Sequence, residues 1–246
     1  MGKTRGSVLD PPTDDRAGGS SPQHPVRSAL VITVIGYVVL TALLIGIGLL
    51  ITHALSGSVG KWDRDVSDHF ARHRTSGWND DTKLATSAVN TLPVLAVAAI
   101  VVGFLALFRR WREAVFLTIA LVLEITVFLS VNFVVDRPRP AVHKLNATPS
   151  TSSFPSGHTA AAMVLFVGIA VIVTCLTRNT VARILSVVVA VAFAALVGFA
   201  RVYRGLHYPT DVFAGALYGL ACLTIAALAV RAASRRADHG PPASPD

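Results

Sequence analysis

The sequence predicts an all-α membrane protein, a bundle of six transmembrane helices with both termini in the cytoplasm. Three observations predict it. Of the 246 residues, 52% are hydrophobic and only 15% charged; the apolar residues gather in long charge-poor blocks; and most arginines stand at the ends of those blocks. A soluble domain averages about 25% charged residues, so a mean hydropathy of +0.58 points to lipid before any motif is read. The blocks lack the short alternating pattern of barrel strands, and each must satisfy its own backbone hydrogen bonds in hydrocarbon, which leaves the helix.

Residues 1–28 combine Gly, Ser, Pro and charge, too little apolar surface to offset the entropy of ordering, and read as a disordered cytoplasmic tail. Residues 29–231 form one membrane domain. Its first block, Ala29 to Ile51, is too long for a signal-peptide core and has no small-residue cleavage site behind it, so it is a retained span. Residues 61–83 follow as an outer interfacial segment, with Trp62 and Trp78 suited to partial burial. The remaining blocks are Leu84 to Phe108, Ala114 to Val135, Thr159 to Leu176, Ile184 to Ala200 and Val212 to Val230. Crossing a core about 30 Å thick takes about 20 residues, so each can span, the fifth barely. Residues 232–246 read as a second disordered cytoplasmic tail. Gly36, Gly46 and Gly48, with Ala214, Gly215 and Gly219, predict close helix packing; no oligomeric state follows from them.

Arg27, the cluster Arg109, Arg110 and Arg112, the pair Arg178 and Arg183, and Arg231, Arg235 and Arg236 fall on one side, which the positive-inside rule makes cytoplasmic. That placement assigns the net charge of +8 to membrane orientation and an anionic ligand, and argues against a nucleic-acid partner. Cys175 and Cys222 lie inside apolar runs as packing residues, without a disulfide framework.

The opposite side also carries basic residues, which orientation does not explain. They sit in Asp136-Arg137-Pro138-Arg139-Pro140, in the stretch leading to Pro155-Ser156-Gly157-His158, and in Arg201 to Asp211, all flanking helices on one predicted face. Arginine presents a planar, permanently charged fork that matches phosphate oxygens, so Arg139 and Arg201 are natural phosphate ligands. Ser156 and Gly157 open a helix whose free N–H groups and dipole attract an anion. Imidazole can act as nucleophile or as proton donor near neutral pH. Asp211 follows His207 by four residues, one helical turn; it would hold one ring nitrogen of His207 and leave the other free to attack phosphorus. His158 then suits the general acid.

These residues resemble the three-part signature of the type 2 phosphatidic acid phosphatase superfamily: Lys-x6-Arg-Pro, Pro-Ser-Gly-His and Ser-Arg-x5-His-x3-Asp. The second part is complete at Pro155 to His158, the third matches at Arg201, His207 and Asp211, and the first only at Arg139-Pro140. The resemblance implies a six-helix core, no metal or other cofactor, and a phosphohistidine intermediate. By position, Arg139, Arg201, Ser156 and the Gly157 backbone would hold the phosphate, His158 would be the acid, His207 the nucleophile and Asp211 its orienting partner. Asn132 stands where the family has lysine and Ala200 where it has serine. The pocket thereby loses a cation, for which Arg137, Lys144 or Arg204 are candidate replacements; Asn132 keeps a hydrogen-bond donor.

The expected function is hydrolysis of a lipid phosphate or isoprenoid pyrophosphate held in the bilayer, with the site on the outer face of a bacterial plasma membrane. A lipid phosphotransferase would share the intermediate and pass the phosphoryl group to an alcohol. A lipid-binding or transport protein would keep the fold without turnover. Vanadium haloperoxidases share this type of pocket but are soluble, and six spans argue against that chemistry. His69 and His73, with Asp65 one turn earlier, have a spacing that could bind zinc, but the favoured reading is an amphipathic interfacial helix. Glu124, in the middle of the third span, reads as a structural residue facing other helices, with a proton or ligand path as the alternative.

Overall fold

Long apolar runs become long helices. The structure is a computed structural model that describes residues 25–147 and 151–237, and among them it contains helices and no strand. Helix α1, Pro25–Leu49, runs on through a wider π-helical turn, Leu50–Ala54. Two shorter helices follow, α2 (Val59–Arg72) and α3 (Ser76–Ser87), and then α4 (Thr91–Leu107) and α5 (Trp111–Val134). The next rod is built from α6 (Gly157–Ala162), a π-helical turn (Met163–Val167) and α7 (Gly168–Leu176); α8 is Thr180–Tyr203 and α9 is Pro209–Ala237.

Five of these rods are long and apolar enough to cross a membrane, and a sixth crossing results if α3 and α4, bent by 49° at their junction, count as one. The predicted second span, Leu84 to Phe108, is therefore broken. Asn90 leaves the helical conformation (φ −65°, ψ 159°) and starts α4 afresh, and Pro93, which lacks an N–H, falls in the first turn, where that loss costs little. The break brings the end of α3 to the end of the bundle that holds the motif loops.

Burial separates two faces of one apolar helix. On α5, Leu117, Ala120, Val127 and Val131 are fully buried, whereas Val122, Ile125, Leu129 and Phe133 are exposed, Phe133 at 92%. An apolar stripe left bare opposite an equally apolar buried one is what lipid contact requires and water contact forbids. The chain is accordingly a multi-pass membrane protein. Its core packs α5 and α9 against α1 around Phe116, Phe154, Tyr218 and Val131. Glu124 faces α9, where the Tyr218 hydroxyl donates to it at 3.0 Å.

The small residues act unequally. A Cβ on Gly215 would lie 2.5 Å from the Ser156 carbonyl oxygen, and one on Gly219 would lie 3.1 Å from that of Ala160, so α9 rests directly on the backbone of α6. Gly36 makes room for Ile225 and Gly48 for Phe154 and Val135, but Gly46 faces open space and packs against nothing. The tail readings fall mostly on residues 1–24 and 238–246, outside the described residues. Where they overlap, residues 25–28 and 232–237 instead extend α1 and α9, because lengthening an existing helix costs far less than starting one.

Substituting Gly215→Ala forces a methyl onto the Ser156 carbonyl, and is expected to destabilise the purified protein by about 1–3 kcal/mol, read as a lowered midpoint of thermal unfolding in detergent. Gly46→Ala, with nothing within 4 Å, is the matched control and should leave the midpoint in place.

Candidate active site

Three separated stretches are stitched pairwise by hydrogen bonds to main-chain carbonyls at one end of the bundle. Ser153 N–H donates to the Arg137 carbonyl and Ser156 N–H to the Asp211 carbonyl, each at 2.9 Å. Arg139 Nη1 donates to the Leu206 carbonyl at 2.8 Å. Local sequence shapes the third stretch. Gly205, at φ +72°, turns the chain after α8 in the left-handed conformation that favours glycine. Pro209 opens α9, where its missing N–H is no loss. Asp211, at the third helical position, turns back to accept the Tyr208 N–H at 2.8 Å, while Val212 N–H bonds to the Tyr208 carbonyl at 3.2 Å. This is the carboxylate half of a capping box.

His207 is buried within this knot. Its Nδ1 lies 2.7 Å from the Ser153 carbonyl, which can only accept, so Nδ1 holds the proton and the neutral ring keeps its lone pair on Nε2. Arg139 Nη1 is 3.3 Å from that Nε2. Burial, followed by the charges of Arg201 and Arg139, pushes His207 well below its usual value, against the opposing bond to Ser153. Asp211 does not orient the ring as its spacing suggested. Its Oδ2 lies 3.8 Å from Nδ1, beyond hydrogen-bond reach, because the carboxylate is occupied by the Tyr208 N–H and by Arg137. A main-chain carbonyl does the orienting instead.

The structure sorts the arginines. Arg139 and Arg201 are paired with no carboxylate among the described residues, and the Nε of each is buried without a partner. Arg201 Nη1 donates to Thr86 Oγ1 at 2.9 Å. Burial lowers Arg139 from its ordinary value, with the Asp211 charge opposing, so this desolvated cation gains from an arriving anion. Arg137, named above as a further phosphate ligand, is committed elsewhere: its two terminal nitrogens pair with Asp63 and Asp211. Arg204 is occupied too, by the Asn146 side chain, Thr82 and the carbonyls of Asn79 and Leu145. Lys144 is exposed. Arg137 and Arg204 are thus both engaged by other residues rather than standing free in place of the missing lysine.

Ser156 stands at the N-cap position of the rod that begins at Gly157, but its hydroxyl meets Thr159 Oγ1 at 2.9 Å rather than a main-chain N–H. His158, one position into the rod, holds its Nε2 3.2 Å from Asn90 Oδ1. Asn132 points its Nδ2 at the Phe154 carbonyl at 3.4 Å, with Oδ1 buried and unpartnered.

Residues 113–235, half of the chain, match the PAP2 superfamily. The chain belongs to that superfamily. Over 125 residues it is 33% identical to the undecaprenyl-diphosphatase of Sulfolobus acidocaldarius, an alignment covering 48% of this chain and 56% of that relative. Its fold is similar to the crystal structure of a transmembrane PAP2-type phosphatidylglycerolphosphate phosphatase from Bacillus subtilis, with a TM-score of 0.65 and 22% identity over 81% of this chain and 94% of that one. It is also similar to Aquifex aeolicus LpxE, with a TM-score of 0.52 and 26% identity over 66% and 92% of the two chains.

Within this PAP2 chain, the residues that sequence reasoning passed over lie outside the three motifs. Ser153 holds His207, Thr86 holds Arg201, Asn90 meets His158, and Asp63 meets Arg137. Asp63 shares the buried face of α2 with Gly60 and Ser67, at helical spacing and flanked by exposed residues. His69 and His73 stack with ring centroids 4.3 Å apart on the exposed face of that helix; among the described residues no group of three or more His, Cys, Asp or Glu gathers for a metal.

A neutral His207 makes a spectroscopic prediction. As pH falls, a group held below its usual value takes up its proton late. The histidine nitrogen spectrum of the ligand-free protein should therefore show His207 as the Nδ1–H tautomer, still unprotonated on Nε2 where an ordinary histidine, with pKa about 6.5, is half charged. A titration of His207 at that ordinary value would contradict the assignment.

Proposed function

We propose that this PAP2 chain hydrolyses a lipid phosphate or isoprenoid pyrophosphate through a phosphohistidine on His207. The observation that carries the reading is the aim of the His207 ring: proton tied to Ser153, lone pair on Nε2, and a desolvated arginine beside that nitrogen. The undecaprenyl-diphosphatase similarity supports an isoprenoid pyrophosphate as the substrate. The bare apolar faces of the helices would keep its tails in the bilayer while the head enters the cradle.

In the proposed reaction, Arg139, Arg201, the Ser156 hydroxyl and the Gly157 N–H hold the phosphoryl oxygens and stabilise their charge as it spreads. Asn132 would add a neutral donor. Nε2 of His207 attacks phosphorus as the bond from phosphorus to the leaving oxygen breaks, and His158 gives that oxygen its proton. Water then attacks the phosphohistidine, His158 takes back a proton, and phosphate leaves with His207 restored. The proposed reaction takes no cofactor. The arginines at the other ends of the helices support an outward-facing site in a bacterial plasma membrane, with both termini inside.

The test is phosphate release from a panel of lipid phosphates and pyrophosphates, with and without chelator, alongside trapping of radiolabelled phosphate on the protein. The expected result is chelator-resistant release that His207→Ala lowers by about 10³-fold or more, with acid-labile label on the parent only. Label passing to added alcohol instead of free phosphate would make the protein a phosphotransferase, and a parent inactive on every substrate would make it a binding or transport protein.

A further inference from the structure

Helix α2 carries a carboxylate that does not belong on a solvated surface. Asp63 is fully buried, whereas its neighbours Trp62, Arg64 and Asp65 are exposed. Its Oδ2 accepts from Arg137 Nη2 and from Thr210 Oγ1, each at 2.6 Å. Its Oδ1 accepts from the Thr210 N–H at 3.1 Å, one of the donors that the first turn of α9 cannot satisfy within the helix. Arg137 continues the chain of contacts. Its Nη1 donates to Asp211 and, at 2.8 Å, to Thr210 Oγ1, and its guanidinium carbon lies 4.5 Å from the centre of the Tyr208 ring. Asp211 in turn caps the Tyr208 N–H, the main-chain group next to His207.

An arginine bridging two carboxylates is the arrangement in which a buried charge is tolerated, because each ion has partners for its polar atoms. With both terminal nitrogens so engaged, Arg137 has no fork left for phosphate. We infer that Asp63 and Arg137 are positioning residues for the nucleophile: helix α2, through Asp63, locks Arg137, which fixes Asp211 and the start of α9 and so the aim of His207. This rests on the reading of His207 as nucleophile. It adds to that reading a residue outside all three motifs, and it moves Arg137 from ligand to scaffold.

The experiment uses the full chain in detergent, with Asp63→Asn, Arg137→Lys and Arg139→Ala beside the parent. Phosphate-release kinetics, inhibition by orthovanadate, thermal unfolding and the histidine nitrogen spectrum are read on each. Asp63→Asn keeps the shape but removes the charge that holds Arg137, and is expected to lower kcat on the order of 10- to 100-fold through a misplaced nucleophile. KM and the vanadate inhibition constant should stay within about twofold, since binding by Arg139 and Arg201 is untouched. Arg137→Lys should behave alike, because a point charge cannot bridge two carboxylates, whereas Arg139→Ala should weaken vanadate. The inference is overturned if Arg137→Lys weakens vanadate as much as Arg139→Ala does, or if Asp63→Asn keeps full kcat and an unchanged His207 signal. Should Asp63→Asn fail to fold, Thr210→Val interrupts the same contacts and is judged by the same two criteria. A parent that releases no phosphate overturns the proposed activity alone; the His207 signal of Asp63→Asn, moved or unmoved, then decides the inference by itself.

Discussion

The bond from His207 Nδ1–H to the Ser153 carbonyl is the constraint on which the site depends. A neutral imidazole has one proton and one lone pair on opposite nitrogens, so fixing the proton aims the lone pair. An accepting carbonyl also does this without adding charge. A carboxylate in the same place would favour the imidazolium, and an imidazolium has no lone pair to offer. The displacement of Asp211 to 3.8 Å, with its charge spent on Arg137 and on a helix cap, keeps His207 oriented and uncharged together.

That bond exists only because chain segments far apart in sequence are brought together by packing. Ser153 reaches His207 because the loop before α6 is tied to Arg137 on one side and to Asp211 on the other. The loop can lie so near the start of α9 because Gly215 presents no side chain to Ser156. Small residues in the membrane thus set the precision of polar geometry at its edge. At the bend between α3 and α4, Thr86 meets Arg201 and Asn90 meets His158.

Much of this was legible in the sequence, for definable reasons. The spans follow from lipid, which demands about 20 apolar residues per crossing, and the motifs follow from residue types that act only in combination. The failures share a cause. The second span looked continuous because the bend at Asn90 replaces no apolar residue with a charged one. Asp211 looked like the partner of His207 because spacing reports which residues are near, not which of several acceptors wins. Arg137 looked free because its counter-ion lies on α2, far away in sequence, and Asp63 resembles any other acid on an amphipathic helix until its face is known to be buried.

The same geometry explains how the pocket stands without its lysine. Asn132 offers no charge, Arg137 is paired with two carboxylates and Arg204 is held by neighbouring groups, so in the proposed reaction the phosphate would be held by Arg139 and Arg201. Ala200 is completely buried, where a serine hydroxyl would have needed a partner of its own. On the proposed reading, the guanidiniums of half-buried Arg139 and buried Arg201 would match the two negative charges of one terminal phosphate group. A third cation would hold that group more tightly before reaction as well as during it, and equal tightening of both states does not speed the chemical step. On the proposed reading, the departure from the family pattern would bear first on how strongly the phosphate is held. In the proposed reaction, the aim of His207 at phosphorus would be set by Ser153 and by the scaffold behind it.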